Sequence, residues 1–332
     1  MLKRLCVKIA VSFLLITIAV ILFNHKSAII EPPPEQWYLA DDTNNKIDIG
    51  WHEMWDYYIS VPANEKNTVR VAVVDTGVDV ENPEINESII STETDTTDTI
   101  GHGTKVTGII CASQYTGCVA GISDIRKTEI VPIKVVTDGE TTCGVEDLTE
   151  AIKLAESLGC SICNISLNTN KDDKSLRDTI VASEMLFVVS AGNGEHRGED
   201  IDKQPSYPAS YCFDNLITVT NIKSNGRLNS TANYGQCVDI AAPGTEIYNI
   251  DIDNRYGAST GTSFATPVIT GLAAMIYICD EKMTATRCKE IILSSATNEK
   301  RLKNKINSNR IVNLDAALKK ALKRSNIYDC EK

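Results

Sequence analysis

The sequence is short of positive charge: 33 lysines and arginines stand against 44 aspartates and glutamates, a formal net charge of -11 with a pI near 5.0. Such a chain has no broad basic footprint with which to hold a phosphate backbone, so no nucleic-acid partner is expected. Histidine is scarce, at four residues. The one stretch that invites comparison with a zinc HExxH site, His52-Glu53, has Asp56 at the fifth position, which removes the metal reading. Internal repeats and a second linker are also missing. Disorder is not the default, because 42% hydrophobic and 23% charged residues are ordinary globular composition. These absences leave a single folded domain over residues 37–324, with a short C-terminal tail at 325–332.

Residues 1–28 differ from the rest. Lys3, Arg4 and Lys8 precede an apolar run of fifteen residues, Ile9 to Phe23, that ends at Asn24, His25 and Lys26. This is an export segment, either a signal peptide or a signal anchor, since about 20 apolar residues are needed to cross a bilayer. A cleavage site before Ile29 would place Ala28 and Lys26 at the two positions that want small residues, which favours retention as an anchor. The flanking charge keeps the N-terminus cytoplasmic and puts the body outside, in the extracellular space or on the outer face of the cytoplasmic membrane. Pro32-Pro33-Pro34 makes residues 29–36 a stiff linker. Of eleven cysteines, Cys6 lies in the export segment and leaves an even ten in a compartment where disulfides persist. Cys111 and Cys118 bracket a short loop containing Gly117 and are expected to bridge. Cys160 and Cys163 lie in one extended run, about 10 Å apart, and are read as buried thiols or partners of distant cysteines.

The body alternates short apolar runs with helical periodicity. Val69 to Val74, Glu129 to Val136, Cys160 to Leu167, Met185 to Val189 and Leu216 to Ile222 are apolar on both faces, as buried parallel strands are. Val145 to Leu158 carries Leu148, Ala151, Ile152 and Ala155 at helical spacing and is closed by Gly159. The fold class expected is α/β, an open, mostly parallel central sheet with helices on both faces, with chemistry beyond the carboxyl ends of the strands.

Four polar signatures punctuate these runs. Asp75-Thr76-Gly77 ends the first strand and holds a carboxylate rigidly at its carboxyl edge. Gly101-His102-Gly103-Thr104 opens a helix, and His102 alone among the histidines is flanked by glycines that permit close approach. Ser190-Ala191-Gly192-Asn193-Gly194 follows a strand, so Asn193 either aims its amide into the cleft or satisfies a loop. Gly261-Thr262-Ser263-Phe264-Ala265-Thr266-Pro267 leads into an apolar helix reaching about Cys279. Ser263 is read as its N-cap, which makes Pro267 the fourth helical residue, where the missing N–H costs nothing. A serine beside free helix amides suits developing oxyanion charge.

Together these motifs strongly resemble the subtilisin-like serine peptidases from about Trp37 to Leu322, along with Asn164-Ile165-Ser166-Leu167, Tyr207-Pro208 and Ala241-Ala242-Pro243-Gly244. The resemblance implies a serine endopeptidase with a triad of Asp75, His102 and Ser263, an oxyanion hole at Asn193, and no cofactor. It implies a substrate-pairing edge at Ser166 and a cis peptide at Pro208. Its substrate would be a peptide or protein lying against Val145, Ser166, Leu167, Asn168, Gly192 and Ser206, with Val145 and Leu167 forming an apolar pocket. Asn168 stands where the family has glycine, which narrows the specificity pocket. Glu195 to Asp202 is read as a solvated loop, with a preference for basic substrate residues as the alternative. The loop Ser113 to Gly121 lacks the family's Asn-rich calcium-chelating sequence, so the Cys111–Cys118 bridge is expected to clamp it in place of calcium. Only residues 24–34 stand where relatives carry a folded pro-domain, and folding is expected unaided or with external help. The chain is expected to be monomeric, with a membrane contact only through an uncleaved N-terminal segment. A peptide-specific maturation protease, a transpeptidase or cyclase, and an inactive peptide-binding scaffold remain as alternatives.

Overall fold

A computed structural model describes residues 29–40, 47–62, 66–92, 94–136 and 143–329; the export segment lies outside the described residues. The β-branched runs form the sheet. They are β1 (Val69–Asp75), β2 (Thr128–Lys134), β3 (Ile162–Ile165), β4 (Leu186–Ser190) and β5 (Leu216–Ile222), joined by β6 (Ile240–Pro243) and the two-residue strands β9 (Thr297–Asn298) and β10 (Arg310–Ile311). The order is β2-β1-β3-β4-β5-β6-β10-β9, with every pairing parallel except β9 with β10. β7 (Ile247–Ile250) and β8 (Tyr256–Ser259) make a separate antiparallel pair. The helices are α1 (Trp51–Ser60), α2 (His102–Cys111), α3 (Val145–Ser157), α4 (Lys174–Ala182), α5 (Thr262–Cys279), α6 (Ala285–Ser295) and α7 (Leu314–Asp329).

Burial follows from pattern. The side chains of β3, β4 and β5 are all buried, as expected of strands covered on both faces. α5 packs across β3, β4, β5 and β6, and every one of its residues except Ser263 is buried. This helix is long and apolar enough to cross a membrane, yet its entire apolar window lies inside the protein, which marks it as a core helix.

Three expectations need correction. Residues 29–36, expected to be a stiff linker, are docked on the folded body: Ile30 N–H donates to Gln114 O at 2.7 Å, and the Gln36 amide is fully buried, accepting from Ala120 N–H and donating to Ala120 O at 2.8 Å each. A buried amide needs partners for both ends, and Ala120 supplies them. The boundary expected at Arg324 falls inside α7. Cys111 and Cys118 are not bridged. Cys111 faces inward from α2 towards Ser88 Oγ (3.4 Å) and Thr107 O (3.7 Å), while Cys118 is exposed on the loop. Glu84 holds that loop instead: its Oε1 accepts from Cys118 N–H at 2.8 Å and from the Tyr256 hydroxyl at 2.7 Å, and its carbonyl accepts from Ser113 N–H at 2.9 Å.

Among the described residues the one disulfide joins Cys212 to Cys237, with Cα atoms 5.4 Å apart. Cys160 and Cys163 are buried free thiols, as are Cys111, Cys279 and Cys288; in these places cysteine serves as a small apolar residue. Burial pushes the Cys111, Cys160 and Cys279 thiols up to about 12, so they stay protonated.

Candidate active site

β1 delivers Asp75 to the carboxyl edge of the sheet, fully buried. Its Oδ1 accepts from Thr76 N–H at 2.8 Å and lies 2.6 Å from His102 Nδ1. This approach depends on Gly103: a Cβ there would sit 2.0 Å from Gly77 O and 3.0 Å from Asp75 Cβ, so any side chain would push α2 away from β1. The His102 side chain keeps 23% of its surface exposed. Burial disfavours its charged form, but the Asp75 charge and hydrogen bond outweigh that, with a smaller contribution from Asp98, and the ring's pKa is raised above 6.5.

Asp98 is a site residue that the sequence reading missed. Buried ahead of α2, its Oδ1 accepts from Thr76 Oγ1 (2.9 Å), Ile100 N–H (3.1 Å) and Gly101 N–H (2.7 Å). Its Oδ2 accepts from Thr104 N–H (3.0 Å) and Thr104 Oγ1 (2.6 Å). Thr76 Oγ1 in turn accepts from Gly103 N–H at 3.0 Å. One carboxylate and one hydroxyl thus satisfy amides that a helix start leaves unpaired, and they fix His102 relative to Asp75. The available signal was a carboxylate four residues before the histidine.

Ser263 enters from α5, but not as its N-cap. The cap is Gly261 in extended conformation, and the Thr262 N–H donates to Asn193 Oδ1 at 3.2 Å, so Asn193 supplies the capping acceptor and the Ser263 hydroxyl is not spent on it. Pro267 is therefore the sixth helical residue, and its missing N–H does leave a carbonyl unpaired, that of Ser263. Ser166 Oγ donates to this carbonyl at 3.1 Å. Behind it, Asn164 Nδ2 donates to Ser166 Oγ at 3.0 Å and Thr270 Oγ1 donates to Asn164 Oδ1 at 2.7 Å, a buried chain from β3 to α5.

The other half of Asn193 faces Ser263. A Cβ built on Gly261 would lie 3.1 Å from Ser263 Oγ and 3.6 Å from Asn193 Nδ2, so the two atoms border one small space. The His102 ring packs beside Phe264, the residue after Ser263, with ring centroids 5.2 Å apart. The Tyr207–Pro208 peptide is cis, and Gly261 N–H donates to Gly244 O at 2.9 Å, docking the serine segment on the Ala241–Gly244 turn.

A cavity of about 470 Å³ opens beside Ser263. It brings together Ser166, Asn168, Gly192, Asn193 and Ser206, all singled out from sequence. Val145, buried at the start of α3, and Leu167, half-buried, do not line it. Among the described residues no cluster of three or more His, Cys, Asp and Glu side chains could hold a metal.

A buried carboxylate–imidazole pair and a serine at the head of a core helix, set at the carboxyl edge of an open parallel sheet, define the class of subtilisin-like α/β proteins. The chain belongs to the subtilase family of serine proteases, whose family model matches residues 66–312. It is 30% identical to the major intracellular serine protease of Bacillus subtilis (strain 168) over 67% of this chain and 72% of that one. It is also 30% identical to subtilisin DY of Bacillus licheniformis, over 69% and 84% respectively. A solved cold-adapted subtilisin-like serine proteinase superposes with a TM-score of 0.62 at 26% identity, covering 74% of this chain and 87% of its own.

Proposed function

We propose that the chain is an exported serine endopeptidase that works through an acyl-enzyme on Ser263. Ser263 Oγ attacks a peptide carbonyl while His102 Nε2 takes its proton, and Asp75 holds the ring with Nδ1 protonated and stabilises the imidazolium. The carbonyl oxygen, now carrying negative charge, is received by Asn193 Nδ2 and the Ser263 N–H. His102 then returns the proton to the leaving amine, and water, activated by the same ring, releases the acyl group. The substrate backbone runs along Ser166 to Asn168. Residues 1–28 carry the domain across the membrane.

The observation that supports this most is the 2.6 Å contact between Asp75 and His102 beside a serine whose hydroxyl is not used for capping. Hydrolysis of quenched peptides by the full-length protein tests it. Ser263→Ala is expected to lower kcat by about 10⁶, the magnitude measured in subtilisin, a member of this family. Asp75→Asn, which leaves the ring in the wrong tautomer, is expected to lower it by about 10⁴. Undiminished cleavage by Ser263→Ala would refute the assignment.

A further inference from the structure

The cavity beside Ser263 is polar throughout: Pro205 is the only apolar side chain among its lining residues. Several of its polar groups are already engaged. Asn168 donates to Ser190 O and accepts from Ser190 Oγ, both at 2.8 Å, so the residue expected to narrow the pocket forms a fixed wall. Asn233 donates to Ala191 O at 3.1 Å and accepts from Glu199 N–H at 2.8 Å. The floor is bare because Gly192, at φ +88°, carries no side chain; a Cβ there would stand 2.9 Å from Asn233 Nδ2.

Several side-chain groups in this cavity, those of Ser206, Glu195 and Glu199 among them, have no hydrogen-bond partner among the described residues. Ser206 is 7% exposed, and its Oγ lies 3.4 Å from the position of a Gly192 Cβ with no hydrogen bond among the described residues. Glu195 and Glu199 line the same cavity, and neither is in an ion pair among the described residues. The neighbouring Lys203 is committed to Asp200 at 2.6 Å, and no lysine or arginine lines the cavity. Glu199 is also held in place through its backbone, its N–H by Asn233 Oδ1 and its carbonyl by Tyr234 N–H at 2.9 Å. A buried hydroxyl and two exposed, unpaired carboxylates border one cavity of about 470 Å³. An apolar side chain would strand that hydroxyl, whereas an ammonium or guanidinium group gives it and the carboxylates charge-assisted hydrogen bonds.

We propose that this cavity takes a lysine or arginine side chain of the substrate, at the residue whose carbonyl Ser263 attacks; the proposal rests on the peptidase reading above. Full-length protein is first titrated with a serine-directed phosphonate, then assayed on quenched peptides that differ only at that residue: Arg, Lys, Gln, Leu or Phe. The kcat/KM for Arg and Lys is expected to exceed that for Gln, Leu and Phe by about tenfold or more. In the double variant Glu195→Gln, Glu199→Gln, the Arg-to-Gln ratio is expected to collapse towards one. A titratable enzyme that prefers Leu or Phe, or whose Arg-to-Gln ratio survives the double substitution, would overturn the proposal and leave the peptidase reading intact. A protein that takes up no phosphonate and cuts no peptide would overturn both.

Discussion

At the scale of single residues, His102 is set by two carboxylates of different kinds. Asp75 bonds its Nδ1 directly, and Asp98 acts from behind the first turn of α2 while pinning Thr104, Gly101 and Thr76. As the proposed general base the ring must be neutral to accept a proton, so its raised pKa is expected to set the acid limb of kcat/KM above the ordinary histidine range. The sign for stability is opposite. A raised folded-state pKa stabilises the fold below the unfolded value, and that contribution is lost as pH climbs through the folded value, so activity gains where this ion pair weakens. Asp98→Asn removes a negative charge near the ring and is expected to shift the acid limb to lower pH, with about 1–3 kcal/mol lost from stability as amides at the helix start lose an acceptor. A limb that stays in place would deny Asp98 its electrostatic part. If Asn193 is an oxyanion donor, Asn193→Ala is expected to lower kcat by about 10²–10³, the magnitude measured for an oxyanion-hole asparagine in subtilisin, with KM nearly unchanged. A loss confined to KM would point to substrate binding rather than to an oxyanion contact.

At the scale of elements, α5 carries the nucleophile candidate on a core helix that contains an internal proline. The carbonyl that Pro267 leaves unpaired is answered by Ser166, and through Asn164 by Thr270, so a buried hydrogen-bond chain ties β3 to α5. Ser166→Ala strands a buried carbonyl and is expected to cost about 1–3 kcal/mol in urea unfolding and to lower kcat. Equal stability to the parent would show that water replaces the hydroxyl. Most of this element structure was legible beforehand. Leu216 to Ile222 forms a strand over the stretch expected, and the other four apolar runs form strands within a few residues of it, because chains buried on both faces leave an unmistakable apolar pattern. β7 and β8 mix Tyr, Asn, Gly and Ser, and β9 and β10 are two residues long, too short for any period to register. Asp75, His102, Asn193 and Ser263 were legible because each stands at an element's end. Asp98 was not, since its role comes from a turn that brings it back on α2. The Cys111–Cys118 expectation failed because sequence spacing does not tell which way a helix points its last side chain.

At the scale of the whole molecule, the described residues hold a mostly buried set of free thiols and one surface disulfide, which makes stability depend on redox conditions at that bridge. Cys212–Cys237 spans 25 residues, and closing such a loop in the unfolded chain is worth about 3.5 kcal/mol in the chain-entropy view. Reduction, or Cys237→Ser, is expected to lower Tm. An unchanged Tm would mean that the bridge adds nothing to the fold. The docked segment 29–36 binds the chain leading from the N-terminus onto the same body, through Gln36 and Ala120. On this reading the folded body presents one activated hydroxyl, at Ser263. Peptide mapping by mass spectrometry after reaction with a fluorophosphonate tests it most directly. One adduct per chain on Ser263, formed faster as pH rises through the His102 pKa and lost in His102→Ala, is the result predicted; an unmodified Ser263, or an adduct that forms as readily without His102, would contradict it.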